Sequence, residues 1–478
     1  MTNLKKKTVS GLKWSLIERF ATQGVQVIVM LILGRMLGPS VFGTIALLMV
    51  FISICQVIAD SGMSSALIRK HDRTNEDFST AFICNVVISV ISYLVVYISA
   101  PLVSAFFDNP ELTFFLRVLG IVIPLNAFSF IPKVKANIDM NFRVQAKISL
   151  FALIISSSIS ITLAYKGYNE WALVVQYIVT SLLTTILFLT TKYRVLVKTF
   201  SVHSFIDLFG FGSKLLLASL IDTIYQNIYQ IFIGKITGPV NVGYFTVANQ
   251  ITRLPSTSLS SVIQRVTYPM LSSIRCEKEL DASFSRILEV TMLFTIPLMV
   301  FVGLSSDFYV GLILGEDWSQ IVNMVISLSF AFSIYPVHVL NLNYLNVKGR
   351  SDIFLKIEII KKIQLTVIIL STYRFGLEVI CYGIMIQSFM SFFYNAYYVE
   401  KLGSIKVTTQ YRMIFFYILS SGLIGIFLKL IISKFLNEDM LSLLSMVLLY
   451  VLTWFLLIIF FKKDVIDDFK VSFSEKRV

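Results

Sequence analysis

The chain has 478 residues, of which 56% are hydrophobic and only 14% are Asp, Glu, Lys or Arg. A soluble domain carries about 25% charged residues, so a soluble enzyme is excluded. The formal net charge of +13 would suggest a nucleic-acid partner in a soluble chain. Here the basic residues lie between long apolar runs, and no basic stripe with interleaved aromatics marks such a surface.

Runs of about 20 apolar residues match the roughly 30 Å hydrocarbon core of a bilayer. Helices are the expected spanning form, because each pairs its own backbone groups. Fourteen spans are predicted: 14–37, 41–67, 80–106, 112–132, 146–165, 169–191, 208–234, 241–263, 287–310, 319–345, 353–373, 377–399, 411–433 and 440–461. Spans 1, 7 and 8 are the most polar. Lys5, Lys6 and Lys7 precede span 1 without a small-residue cleavage site, so that span reads as a retained helix. Alternate connections are basic, from Arg69, Lys70 and Arg73 through Lys192, Arg194 and Lys198 to a tail with Lys462, Lys463, Lys470, Lys476 and Arg477. The intervening ones, such as Asp108-Asn109-Pro110-Glu111, are nearly free of basic charge. The positive-inside rule then places both termini in the cytoplasm.

An internal repeat sets the expected architecture. Gly34-Arg35-Met36-Leu37-Gly38-Pro39 ends span 1 and Gly43 starts span 2; Gly234-Lys235-Ile236-Thr237-Gly238-Pro239 ends span 7 and Gly243 starts span 8. The offset is 200 at every matched position, and Gln26 and Gln226 also coincide. Six spans separate the copies, and an even number makes the repeat parallel, about an axis along the membrane normal. The predicted fold is therefore all-α and membrane-integral. Two six-helix bundles, 1–200 and 201–405, are followed over 406–478 by two appended helices and a cytoplasmic tail.

Polar side chains inside spans are costly and should face a cavity or pair up. Span 1 carries Glu18, Arg19, Thr22 and Gln26 on one stripe with Ser15; span 2 carries Gln56 and Asp60. Span 7 carries Lys214, Asp222, Tyr225, Gln226 and Tyr229 on one face, and span 8 carries Thr246, Asn249, Gln250 and Arg253. These stripes occupy equivalent spans of the two halves, as a shared central cavity requires; the alternative is that the groups pair and only fix packing. Arg117 is expected to reach the surface from the outer end of span 4. Pro124 and Pro336 should interrupt spans 4 and 10. Cys55, Cys84, Cys276 and Cys381 form no CxxC pair and read as small buried hydrophobes. His71, His203 and His338 look isolated, so no metal site and no cofactor are expected.

The segment from Ser10 to Lys70 resembles the start of the Wzx-type polysaccharide flippases. The resemblance is carried by Gly11-Leu12-Lys13-Trp14, Glu18-Arg19, Gly34 through Pro39, Phe42-Gly43, Asp60-Ser61-Gly62-Met63 and Ala66-Leu67-Ile68. Leu254-Pro255 through Tyr268-Pro269 and Ser272 look like the matching stretch of the second half. The wider MOP superfamily also holds multidrug exporters and the peptidoglycan-lipid flippase, so the resemblance implies a MATE-like architecture. It further implies transport of an undecaprenyl-pyrophosphate-linked oligosaccharide across the bacterial cytoplasmic membrane by alternating access. On that reading Arg19, Lys214 and Arg253 are candidate partners of the pyrophosphate, and Tyr225 and Tyr229 of the sugar rings. Glu18, Asp60 and Asp222 are candidate carboxylates for a coupling cation, H+ or Na+. The competing readings are a drug or metabolite exporter of the same fold, a membrane-embedded glycosyltransferase and a passive scramblase. An organic-cation pump favours a predominantly acidic, aromatic cavity, whereas the intramembrane charges here are mixed and at least as basic as acidic; a transferase needs a sizeable soluble loop with clustered Asp, His or Arg, and no such cluster appears.

Overall fold

The computed structural model describes residues 2–195, 199–403, 405–435 and 440–461. Lys198 and the basic tail from Lys462 to Arg477 lie outside that description. The described residues are helical, with no strand. In order the helices are α1 (Thr2–Asp60), α2 (Met63–Arg69), α3 (Asn75–Phe106), α4 (Glu111–Leu119), α5 (Val122–Ile138), α6 (Phe142–Tyr165), α7 (Asn169–Thr190) and α8 (Val202–Thr237). There follow α9 (Pro239–Ser273), α10 (Glu277–Leu304), α11 (Ser306–Tyr309), α12 (Val322–Ser333), α13 (Tyr335–Val347), α14 (Ser351–Thr372), α15 (Leu377–Lys401), α16 (Val407–Phe435) and α17 (Met440–Phe461). Eleven helices among the described residues are long and apolar enough to cross a membrane, the first covering Glu18–Asp60 and hence two expected spans. The helices on expected spans 8 and 11, α9 and α14, are more polar and are not among the eleven. Fourteen spans are consistent with this set. Large apolar side chains also cover the outside: Leu355, Ile359, Ile363, Val367 and Leu370 form one exposed stripe along α14. In water such a stripe would be a liability, whereas lipid accepts it.

By internal contact the chain divides into Met1–Thr246 and Val247–Val478. In the first unit, α1 is two helices joined at Gly38, whose φ of 73° and ψ of 175° break the helix. Gly238 adopts nearly the same values, 82° and 178°. Only glycine enters that region without strain, and the proline that follows each one disfavours the α conformation before it. The repeat seen in sequence is thus a repeat of backbone geometry. Its two copies also meet. A Cβ on Gly43 would lie 1.7 Å from the Pro239 carbonyl oxygen, and one on Gly243 would lie 1.9 Å from that of Pro39. This reciprocity is what a local two-fold axis produces. Elsewhere in the unit, α7 meets α6 at the buried Ser156 and Ser157, and its own buried Ser181 and Thr185 turn to α5. Small residues let helices approach closely in lipid. Thr180 Oγ1 donates to Ser156 Oγ at 2.7 Å, and Ser181 Oγ to Asn126 Oδ1 at 2.7 Å.

The second unit is built on Phe284, Tyr344, Phe392, Tyr417 and Trp454, which share one core. Trp454 and Ile458 of α17 and Ile414 and Tyr417 of α16 belong to that core, so the two C-terminal helices are integral to the unit. Spans 4 and 10 are interrupted as expected: α4 gives way to α5 just before Pro124, and α12 to α13 just before Pro336.

A proline in a helix leaves the carbonyl four residues earlier without its N–H partner, and in lipid that group must be satisfied. At three such sites a side chain from another helix supplies the bond. Arg117 Nε donates to Tyr97 O at 3.2 Å, opposite Pro101. Trp454 Nε1 donates to Leu293 O at 3.2 Å, opposite Pro297. Ser256 Oγ donates to Phe332 O at 2.7 Å, opposite Pro336. Arg117, expected only to reach the surface, also stacks its guanidinium 4.5 Å from the Tyr97 ring centroid. The cysteines divide: Cys84 and Cys381 are buried and Cys55 half-buried, but Cys276 is exposed. It is the extended residue that precedes the first turn of α10.

Candidate functional site

In the first unit α8 lies along α1, α2 and α3 and is held at both ends. At one end Lys70 Nζ bridges Asp207 Oδ2 at 2.8 Å and Asp77 Oδ1 at 3.0 Å. The Asp207 carboxylate, with Asp77 behind it, raises the Lys70 ammonium above the ordinary lysine range despite some burial. Beside it Arg69 sits 4.2 Å from the Phe211 ring centroid. Gly62 and Gly212 meet backbone to backbone: a Cβ on Gly62 would lie 2.2 Å from the Gly212 oxygen. Asp77 closes a capping box with Thr74, so the groove that receives Lys70 is fixed by the start of α3. At the other end Lys235 Nζ meets Asp108 Oδ2 at 2.8 Å, and Gly234 faces Leu47 and Phe107 so closely that its Cβ would lie 2.5 Å from Leu47 Cδ2.

Between these two fastenings is a cleft of about 420 Å³. Ser53, Gln56, Val57 and Asp60 line it from α1, with Gly62 and Ser65 below. Leu215, Leu216, Ser219, Thr223, Gln226 and Asn227 line it from one face of α8, at helical spacing. Of its twelve lining residues four carry hydroxyls, three carry amides and one a carboxylate, while Val57, Leu215 and Leu216 supply apolar wall. That carboxylate, Asp60, is already engaged: it accepts from the Ser64 hydroxyl and from the Gly62 and Ser64 amides. Asp60 therefore caps α2, which starts after the left-handed Ser61 (φ 52°) and Gly62 (φ 69°).

The cleft brings together three residues singled out from sequence, Gln56, Asp60 and Gln226. Ser53, Ser65, Ser219, Thr223 and Asn227 were missed. Their signal was the helical spacing of small polar residues on spans 2 and 7, which charge alone does not reveal. The other expected site residues lie outside its lining. Lys214 and Asp222 are exposed on α8 and Tyr225 is half-buried. Tyr229 is buried, its ring centroid 5.8 Å from that of Phe245. Arg19 and Glu18 are half-buried on α1; Glu18 accepts from Ser149 Oγ at 3.5 Å and interacts electrostatically with Lys133. In the second unit Arg253 is half-buried on α9, with Thr257 Oγ1 donating to its carbonyl at 2.9 Å. No group of three or more His, Cys, Asp or Glu among the described residues is placed to hold a metal. His338 is not isolated: it is buried in the second unit between Ser388 and Asn395.

A family model described as polysaccharide biosynthesis protein matches residues 32–323. The teichuronic acid biosynthesis protein TuaB of Bacillus subtilis (strain 168) is 23% identical over 356 residues, covering 74% of this chain and 74% of that protein. The lipopolysaccharide biosynthesis protein WzxC of Escherichia coli (strain K12) is 23% identical over 367 residues, covering 75% and 74%. Among solved structures, the lipid II flippase MurJ in an inward closed conformation superposes with a TM-score of 0.75 at 13% identity, covering 95% of this chain and 100% of that one. An inward-facing multidrug resistance MATE family transporter of the MOP superfamily superposes with a TM-score of 0.59 at 17% identity, covering 81% and 98%. The fold is therefore MATE-like.

Proposed function

The chain belongs to the polysaccharide biosynthesis protein family, whose model spans more than half its length, and from that premise we propose that it is a flippase for undecaprenyl-pyrophosphate-linked oligosaccharide repeat units. It acts in the bacterial cytoplasmic membrane, with both termini cytoplasmic, and works by alternating access. The observation that carries this reading is the cleft beside α8. A cavity among membrane-spanning helices whose lining includes four hydroxyls, three amides and one engaged carboxylate beside an apolar wall offers many neutral donors and acceptors. Sugar hydroxyls need that chemistry; an organic cation needs aromatic faces and free carboxylates.

The lipid tail of such a substrate remains in the bilayer. Arg19, Lys214 and Arg253 offset the pyrophosphate charge, the arginines by two parallel hydrogen bonds and the lysine as a point charge. Tyr225 and Tyr229 present ring faces to sugars. Glu18, Asp60 and Asp222 are the carboxylates for a coupling H+ or Na+. Residues 1–200 and 201–405 act as the two six-helix bundles, and 406–478 adds two helices and a tail. MurJ, by its name a lipid II flippase, and TuaB, by its name a teichuronic acid biosynthesis protein, are consistent with a lipid-linked glycan.

The test uses the full chain in proteoliposomes with a fluorescent undecaprenyl-pyrophosphate oligosaccharide, and reads the fraction that becomes accessible on the far leaflet. Protein-dependent movement is expected. T223A/Q226A/N227A, normalised to inserted protein, should slow it at least tenfold. Absence of movement by well-inserted wild type, or movement of organic cations in place of the glycan, refutes the assignment. Repeating it with and without a pH or sodium gradient separates coupled transport from passive scrambling.

A further inference from the structure

The second unit holds a buried polar network that the cleft does not touch. Its centre is His338, 7% exposed, on α13 two residues after Pro336. His338 Nε2 lies 3.3 Å from Ser388 Oγ, and Ser388 Oγ itself donates to Ala331 O at 2.7 Å. That serine proton is thus committed to the carbonyl, so Nε2 must be the donor to Ser388. The other ring nitrogen, Nδ1, lies 3.0 Å from Asn395 Nδ2. With Nε2 protonated and Nδ1 facing an amide N–H, the imidazole is neutral and in one tautomer.

Asn395 is fully buried on α15, and its Oδ1 has no hydrogen-bond partner among the described residues. An unpaired carbonyl oxygen on the side chain that holds Nδ1 is an expensive arrangement. Rotating the Asn395 amide by a half turn would present Oδ1 to the ring. It could then accept from an Nδ1–H, while Nε2–H kept its bond to Ser388. Both protonation states of the ring therefore have complete hydrogen bonds, and only one side-chain amide turns between them.

We propose that His338 is a proton-binding site of the second unit, with the Asn395 amide as its switch and the break between α12 and α13 as the element it biases. One proton from solvent forms the Nδ1–H bond, no other covalent bond is made or broken, the Asn395 amide exchanges its donated hydrogen bond for an accepted one, and the site gains one positive charge. The chain Nδ1–imidazole–Ser388–Ala331 ends on the last turn of α12, directly before that break. Proton uptake thus acts on helix packing where α12 and α13 meet.

Charged side chains lie on several elements packed against α13, those at the starts of α10 (Glu277, Lys278, Glu279) and α14 (Asp352, Lys356) included. From α14, Lys361 has a field that opposes a positive charge on the imidazole, and Glu358 offsets it with an ion pair at 3.0 Å; Lys362 is next to it. From α10, Asp281 is held by the Tyr344 hydroxyl at 2.6 Å, and Arg286 and Glu289 lie further along. On α15, Glu378 accepts from Asn323 and Glu400 from the Val407 amide, with Lys401 at its end. On α16, Gln410 accepts from Asn341, and Arg412 follows it. The helix α12 carries no ionisable side chain.

The chain has three histidines, and His71 and His203 are exposed. H71Q/H203Q therefore leaves His338 as the only imidazole. The experiment is nitrogen NMR of that full-length variant, labelled in histidine and reconstituted in lipid, from about pH 9 to about pH 5. The neutral Nε2–H tautomer is expected at the alkaline end and an imidazolium signal on acidification. N395D, which places a carboxylate at Nδ1, should move the midpoint up by more than one pH unit. A ring that stays neutral throughout, an Nδ1–H tautomer, or an unmoved midpoint in N395D overturns the site.

A second arm rests on the flippase reading. In proteoliposomes an imposed pH gradient should accelerate glycan movement by wild type, and in H338Q the ratio of rates with and without the gradient should fall to one. Wild type that moves no glycan sinks the flippase reading and leaves the NMR result standing. Wild type and H338Q that respond equally to the gradient sink the proton site alone.

Discussion

Replacing Gly43 by Ala puts a methyl group where the structure has the Pro239 carbonyl. The added carbon would sit 1.7 Å from that oxygen and 2.8 Å from the Gly243 nitrogen. Carbon–oxygen contacts between packed helices are about 3.3 Å, so the seam must part by roughly 1.6 Å. Neither side can yield by a rotamer change, because both contacting atoms are backbone. Overpacking of this kind costs about 1–3 kcal/mol. If the seam between the two repeat copies opens during the transport cycle, only the closed state bears that cost. The closed–open equilibrium then moves about 5- to 150-fold toward open. The assay is labelling of Asn227→Cys in the cleft by a membrane-impermeant maleimide applied from the Lys235 side, with the four native cysteines replaced. G43A should raise the labelling rate by that factor. G243A should do the same, and the pair should be less than additive, since the first substitution already parts the seam. Wild-type labelling and wild-type glycan movement by fully inserted G43A would show that the reciprocal contact does not gate the cleft. A loss of folded protein with unchanged labelling would assign the seam to stability alone.

Two further outcomes follow from the same geometry. W454F leaves the Leu293 carbonyl unpaired in the membrane and should cost about 1–3 kcal/mol, read as a drop in Tm in detergent; adding P297A gives that carbonyl its own helical N–H again and should recover most of the loss. K70M strips a cation from the fully buried Asp77 and from the half-exposed Asp207, with a cost of about 1.5–3 kcal/mol that comes mainly from the buried partner. Because the folded-state value of Lys70 is raised above its unfolded one, its contribution is complete below about pH 10 and is lost only as pH rises through the folded value. The stability gap between wild type and K70M should accordingly be flat from about pH 6 to 9, and a gap that closes over that window would show that Lys70 is not the ammonium partner.

The spans and the repeat were legible in the sequence for a physical reason. Apolar length measures the bilayer directly, and Gly38-Pro39 and Gly238-Pro239 encode a backbone conformation that other residues resist. The inside of each helix was much less legible. In a membrane the lipid-facing stripe of α14 is as apolar as a core stripe, so hydropathy does not say which face is buried. The informative residues are small and polar: Ser53, Thr223 and Asn227 in the cleft, and the serines between α6 and α7. Asp60 was visible as an acid in a span, but its engagement with Gly62 and Ser64 depends on the left-handed turn at Ser61 and Gly62. His338 looked isolated because its partners are 50 and 57 residues away along the chain.

The C-terminal helices show how far such distance reaches. Pro101 and Pro297 lie in the third spans of the two expected repeats, and each leaves a carbonyl for the bilayer to punish. In the first half the next span provides the answer, through Arg117 to Tyr97. In the second half the next span offers no such arginine, and the bond comes from Trp454, 161 residues away, on the last helix. Tyr450 on the same helix donates to the Pro297 carbonyl at 3.0 Å, 153 residues away. The last helix therefore does for the second half what one arginine does for the first. A six-helix repeat carrying this proline would be incomplete by one hydrogen bond in lipid, which gives a physical reason for α17 to stay packed against α10.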